Sequence, residues 1–146
     1  MQNKLLPLSI TFIFIIIFIV FYKGLKDTNI YTPESKIKNE VPSLLVDLFD
    51  TDKTVNTIEI FQSDKFYLLN IWSSWCVPCR QEHSILMELK NNDRLKVIGM
   101  NYKDNKENAK NFLKELGNPY DKIIFDSKGT YAIEWGAYGV PESFLI

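Results

Sequence analysis

Residues 66–89 read FYLLNIWSSWCVPCRQEHSILMEL. Phe66 to Trp72 is a near-continuous apolar run of strand length, rich in aromatics, and suits a strand buried on both faces. The spacing then turns helical, with Cys79, Glu82, Leu86 and Leu89 at i, i+3, i+7 and i+10 and Ile85 beside them. Between strand and helix lies Trp75-Cys76-Val77-Pro78-Cys79. Two cysteines three apart at a helix start can close a small disulfide without disturbing the fold. Cys76 falls at the helix N-terminus, where unpaired backbone N–H groups and the macrodipole stabilise a thiolate. That position lowers its pKa and makes Cys76 the attacking nucleophile. Cys79, one turn in and less exposed, resolves the mixed disulfide. Pro78 has no backbone N–H to leave unsatisfied in the first turn.

Zinc is the competing reading, because Cys76, Cys79 and His83 offer three ligands. The chain holds two cysteines and one histidine in all, so no second ligand pair of the usual type exists. A purely structural disulfide is disfavoured too, since so small a loop constrains the unfolded chain little. The reading is therefore a redox pair with no metal and no cofactor beyond the Cys76–Cys79 disulfide.

Working outward, Leu95 to Met100 is the next strand, and Lys106 to Leu116 has Ala109, Phe112, Leu113 and Leu116 at helical spacing with Gly117 to cap it. Ile123 to Phe125 is a short strand, Asp126 to Gly129 a turn, Thr130 to Trp135 a short helix, and Ser143 to Ile146 a final strand. Such alternation builds an α/β layer structure around a mainly parallel sheet. Val41 to Ile60 holds short apolar clusters broken by Asp and Thr, read as short strands or an irregular cover. The sequence stops inside an apolar run, so the reading expects a domain lacking its last strand and helix.

Upstream, Leu5 to Tyr22 carries no charge, with Lys4 before it and Lys23 and Lys26 after. Such a segment spans about 27 Å as a helix, close to the hydrocarbon thickness of a bilayer. No Ala-x-Ala pattern follows, which favours a retained anchor over a cleaved signal. The flanking lysines do not decide orientation. Residues 23–40 are polar, with Gly24, Pro33 and mixed charges, and read as a tether. The expected organisation is thus an anchor over 1–22, a linker over 23–40 and a domain over 41–146. With 17 basic and 18 acidic residues, the chain has no positive excess for a phosphate backbone, which argues against nucleic-acid partners.

The strand–Trp-Cys-x-x-Cys–helix arrangement resembles the thioredoxin superfamily. Asn70 to His83 (NIWSSWCVPCRQEH), Val97 to Asp104 (VIGMNYKD), Leu116 to Tyr120 (LGNPY) and Tyr138 to Ile146 (YGVPESFLI) narrow the resemblance. They are similar to segments of the membrane-anchored thiol:disulfide interchange proteins of cytochrome c maturation (the CcmG/DsbE family). The resemblance implies a thioredoxin-like fold, a central mixed β-sheet flanked by helices, preceded by one transmembrane helix. It implies that Pro141 is the cis-proline beside the active cysteines, with Val140 before it shaping the substrate site. It implies that Glu82 is an active-site glutamate, supported by its place on the inward helix face, and that Glu142 is the acidic residue after the cis-proline. As a lone residue each carboxylate also fits a solvated position. Trp75 packs against the cysteines in this superfamily, though as a lone aromatic it fits the core equally well.

Where thioredoxins carry a buried aspartate before the motif, this sequence has Asn70, which cannot take a proton; Glu82 becomes the candidate acceptor. The implied activity is reduction of apocytochrome c, or of a haem-ligation partner, by a dithiol recharged from a membrane thiol-reductant donor. The implied location is the bacterial inner membrane, with the catalytic domain facing the periplasm. Two other readings stay open. One is a reductant for another exported pathway, such as cytochrome oxidase assembly or spore-coat thiols. The other is a non-enzymatic membrane adaptor whose cysteines merely staple the helix start.

Overall fold

A computed structural model describes residues 5–26, 41–51 and 53–146. The chain divides into two units, Met1–Lys36 and Ile37–Ile146. In the first, α1 (Leu5–Lys26) is a continuous helix that runs past the expected end at Tyr22. Nothing in Lys23–Gly24–Leu25 breaks it. Its segment Pro7–Leu25 is apolar and long enough to cross a membrane as a single helix. From position 27 onward the expected linker lies outside the described residues.

The second unit opens with a hairpin of β1 (Leu45–Asp47) and β2 (Thr54–Asn56), paired antiparallel, followed by one turn of helix, α2 (Thr57–Ile60). Asn56 caps that turn by accepting the Ile58 N–H. After it come β3 (Phe66–Trp72), α3 (Val77–Leu89), β4 (Leu95–Tyr102), α4 (Lys106–Leu116), β5 (Lys122–Asp126), α5 (Thr130–Glu134) and β6 (Glu142–Leu145). The main sheet has the order β5-β4-β3-β6. β3, β4 and β5 run parallel, and β6 lies antiparallel to β3 with Asn70 opposite Ser143 and Ile71 opposite Glu142. The irregular stretch after β1 is tied to this sheet, because the Phe49 N–H donates to the Ile123 carbonyl.

Strand periodicity sorts the core into two layers. On one face Trp72 and Val97 meet Leu86 of α3, Ala109 and Phe112 of α4, and both cysteines. On the other, Tyr67, Leu69, Ile71, Ile98 and Met100 pack with Val46 and Ala132. Asn70 is in phase with Trp72, so it faces α3. Gly99 is placed beside it in β4, where an added Cβ would come within 2.9 Å of both Trp72 Nε1 and Tyr120 Cγ. Only glycine lets those two rings stack, at 5.4 Å and 18°. α4 is capped by Asn105, whose side chain accepts from Glu107 and Asn108, and it ends at Gly117 with φ 88°.

Candidate active site

β3 ends at Trp72, and three residues turn the chain into α3. Cys76 is the N-cap of that helix, and Pro78 sits in its first turn. Cys76 and Cys79 are joined as a disulfide with S–S 2.02 Å, and both are buried. The Cys79 backbone N–H points at Cys76 Sγ, 3.1 Å away. This helix N-terminal donor, which has no partner within the helix itself, is aimed at the sulfur where a thiolate would form. Around the disulfide, Trp75, Val77, Pro78 and Tyr138 remain exposed.

The core reading of Trp75 does not hold. The residue is 57% exposed, and its indole N–H reaches out to the Lys103 carbonyl at 3.1 Å.

Below the disulfide lies a chain of hydrogen bonds centred on Asn70. The Tyr120 hydroxyl donates to Asn70 Oδ1 at 2.8 Å. Asn70 Nδ2 donates to Glu82 Oε1 at 2.9 Å and to Ser143 Oγ at 3.1 Å. Burial, reinforced by the negative charge of Glu82, pushes the Tyr120 hydroxyl well above the ordinary tyrosine range. The phenol therefore keeps its proton and donates. This fixes the carbonyl end of Asn70 and leaves its amide for Glu82. Glu82 is half-buried on the same helical face as Cys79. Its second oxygen, Oε2, accepts no hydrogen bond among the described residues.

The third element is the turn before β6. The Val140–Pro141 bond is cis, and the Glu142 carboxylate accepts the Tyr138 backbone N–H at 2.9 Å. Val140 packs against both core layers, and Glu142 stands half-buried opposite Ile71.

Two residues of α3 differ from the expected pattern. Ile85 is 58% exposed, and the buried stripe runs through Cys79, His83 and Leu86 instead. The i, i+4 and i+7 positions face the sheet, so Ile85 at i+6 is turned outward despite its apolar side chain. The His83 ring packs edge-on against Phe112, and its Nε2 lies 2.9 Å from the Gly117 carbonyl. A carbonyl only accepts, so Nε2 carries the proton. With the cysteines joined to each other and His83 turned to Gly117, the three candidate zinc ligands do not converge. Tyr120 and Ser143, which bond Asn70, are not picked out by the sequence reading. The signal was the amide of Asn70 in an apolar strand, because a buried amide must find partners.

Residues 35–146 match the Redoxin family. Over 82 residues, 56% of this chain and 44% of that one, the sequence is 52% identical to "Thiol:disulfide interchange protein CycY" of Rhizobium leguminosarum bv. viciae. Across its whole length, and 81% of the relative, it is 37% identical to "Thiol:disulfide interchange protein DsbE" of Haemophilus influenzae. The chain thus spans less than half the length of the Rhizobium protein. Among solved structures, a DsbF homologue from Corynebacterium diphtheriae superposes with TM-score 0.62 at 27% identity, with 80% of each chain covered. Fold and site together define a thioredoxin-like protein with a disulfide-bonded Cys-x-x-Cys pair at a helix start. The chain belongs to the Redoxin family, in the branch of the DsbE and CycY thiol:disulfide interchange proteins.

Proposed function

We propose that this chain is a membrane-tethered dithiol reductant of apocytochrome c, working in c-type cytochrome biogenesis on the periplasmic side of the bacterial inner membrane. Residues 1–22 serve as anchor, 23–40 as tether and 41–146 as the redox domain. The observation that carries the reading is the part-buried hydrogen bond from Asn70 to Glu82, on the face of α3 that carries Cys79. It supports Glu82, whose Oε2 accepts no hydrogen bond among the described residues, as acceptor of the proton that the resolving step releases. The names of the relatives, thiol:disulfide interchange proteins, support exchange chemistry. The apolar Pro7–Leu25 helix supports the anchor.

In the forward reaction the Cys76 thiolate attacks one sulfur of a substrate disulfide. That bond breaks, and the second substrate sulfur leaves as a thiolate and takes a proton. A mixed disulfide now joins Cys76 to the substrate. Cys79 gives its proton to Glu82, attacks Cys76 Sγ and expels the remaining substrate sulfur as a thiolate, which takes a proton from water while Glu82 returns its own to water. Two electrons pass to the substrate, which leaves as a dithiol, and the Cys76–Cys79 disulfide forms. A membrane thiol donor then reduces that disulfide. The exposed Trp75, Val77, Pro78 and Tyr138, with the half-buried Val140–Pro141 segment, provide the surface on which the substrate peptide lies.

The test is trapping in a bacterium that makes c-type cytochromes. Cys79→Ser is expected to accumulate a mixed disulfide with apocytochrome c through Cys76, and Cys76→Ser to trap none. Capture only of proteins that carry no haem-attachment cysteines would replace the cytochrome reading with another exported pathway. Absence of any mixed disulfide would favour the adaptor.

A further inference from the structure

We propose that Asp104 is a positioning residue for thiol–disulfide exchange, acting with the Lys103 carbonyl to fix the turn that carries Trp75 and Cys76. The inference rests on the exchange reading above and concerns a residue outside the Cys-x-x-Cys segment.

Both oxygens of Asp104 are fully engaged. Oδ2 accepts the Ser74 backbone N–H at 2.6 Å and Asn101 Nδ2 at 2.9 Å. Oδ1 accepts the Ser74 hydroxyl at 2.7 Å and the Asn105 backbone N–H at 2.8 Å. One side chain thus binds both the backbone and the side chain of the residue two before Cys76. Such charge-assisted bonds are shorter and stronger than neutral ones. The next residue is held as well, since the Trp75 indole donates to the Lys103 carbonyl at 3.1 Å. Lys103 has φ 44°, a left-handed conformation uncommon for a side chain with a Cβ, and its own N–H is pinned to the Asp126 carbonyl at 2.9 Å. The 103–105 loop is therefore anchored on one side to β5 and on the other to α4, which Asn105 caps. From that base it grips the active-site turn at Ser74 and Trp75.

The grip matters because Cys76 must keep two relations at once. Its sulfur must stay over the Cys79 N–H at the start of α3, and it must meet an incoming sulfur in line. Nothing in α3 fixes residue 74 or 75, which precede the helix; Asp104 and Lys103 do. An amide in place of the carboxylate cannot accept four hydrogen bonds, because it presents N–H to two of the same donors.

The experiment uses the full reduced chain in detergent, with oxidised glutathione as the small disulfide, at a pH where Cys76 is fully ionised. Asp104→Asn is expected to slow the second-order reaction about tenfold, the scale on which misplacing a reacting group by a fraction of an ångström acts. Ser74→Ala, which removes one of the four bonds, is expected to give a smaller loss of the same kind. In both, the Trp75 indole N–H resonance is expected to move. Asn56→Ala, which uncaps α2 on the far side, is expected to lower the melting temperature and leave the rate unchanged. Removing a charge also alters electrostatics, but that effect fades in about 0.5 M salt whereas a positional one persists. An Asp104→Asn rate within twofold of wild type, or a loss that disappears in salt, overturns the positioning role alone. A wild-type chain inert toward oxidised glutathione overturns the exchange reading with it.

Discussion

Replacing Asn70 with leucine tests whether the polar chain beneath the disulfide is a single unit. Leucine keeps the branched shape of asparagine but is bulkier, so overpacking adds to the polar loss, and the coupling with Tyr120 isolates the polar part. The substitution strands the hydroxyl of Tyr120, a buried residue, and removes the one side-chain donor to Glu82 among the described residues. A neutral buried bond contributes about 1 kcal/mol and one to a charged group about 2 kcal/mol, so the polar loss is about 3 kcal/mol. Ser143 adds little because it is exposed and turns to water. Tyr120→Phe alone costs about 1 kcal/mol, since it leaves Asn70 Oδ1 without its donor. In the Asn70→Leu background the same change removes a hydroxyl that has already lost its acceptor, so it is neutral or slightly stabilising. The coupling between the two sites is then about 1–2 kcal/mol. The assay is urea unfolding of the oxidised full chain in detergent, followed by tryptophan fluorescence, for wild type, both singles and the double. Additive losses would refute the single-unit argument, and an Asn70→Leu loss below about 1 kcal/mol would refute the assigned bonds.

Further outcomes follow from the same geometry. Gly99→Ala is expected to cost about 1–3 kcal/mol, because its methyl group meets two stacked rings with no room to move, and calorimetry of the oxidised protein checks it. Tyr120 holds its proton more tightly folded than unfolded, so above the ordinary tyrosine pKa the native state binds more protons and stability falls as pH rises. Tyr131, raised chiefly by burial and then by Asp47 and Asp126, acts in the same direction. Tyr120→Phe is expected to flatten that alkaline decline, and an unchanged slope between about pH 10 and pH 11 would contradict it. Glu82→Gln is expected to slow resolution of a mixed disulfide at Cys76 and to make the potential less negative, measured against glutathione. Wild type is expected nearer to thioredoxin, about −270 mV, than to the strong oxidant at about −120 mV.

Much of this architecture is written in local pattern. The aromatic run of β3, the helical spacing after Cys79 and the Ala109–Phe112–Leu116 stripe ending at Gly117 are each decided by neighbours within two turns. The site is legible only in part, because its bonds are long-range. Asn70 meets Tyr120 fifty residues away and Ser143 seventy-three away, while Ser74 meets Asp104 thirty away. No local rule names such partners. Hydrophobicity also misled at Ile85 and His83, because helix phase places position 83 beside Cys79 and Leu86. A histidine is tolerated there once a carbonyl at Gly117 satisfies its proton. Trp75 shows the reverse, as an indole leaves the core when a polar acceptor outside captures its N–H.

On the proposed reading, Asp104, Glu142 and Glu82 have different work, and their bonding separates them. Asp104 accepts four hydrogen bonds and cannot take a proton without discarding at least one. Glu142 holds the Tyr138 N–H and so supports the turn containing the cis bond. Glu82 alone is held by a side-chain amide at Oε1, lies on the face of α3 that carries Cys79, and keeps Oε2 uncommitted among the described residues. A proton can add to Oε2 while the Asn70 amide stays bonded to Oε1, so the carboxyl group need not move between its two states. Asparagine at position 70 is what makes this possible. Its amide does not titrate, and Tyr120 keeps it from flipping. An aspartate at that position would set a second carboxylate against Glu82, and two like charges at such range cannot both ionise. On the exchange reading proposed above, an amide in place of an acid in β3 leaves the proton-accepting role to Glu82 of α3, one turn beyond Cys79.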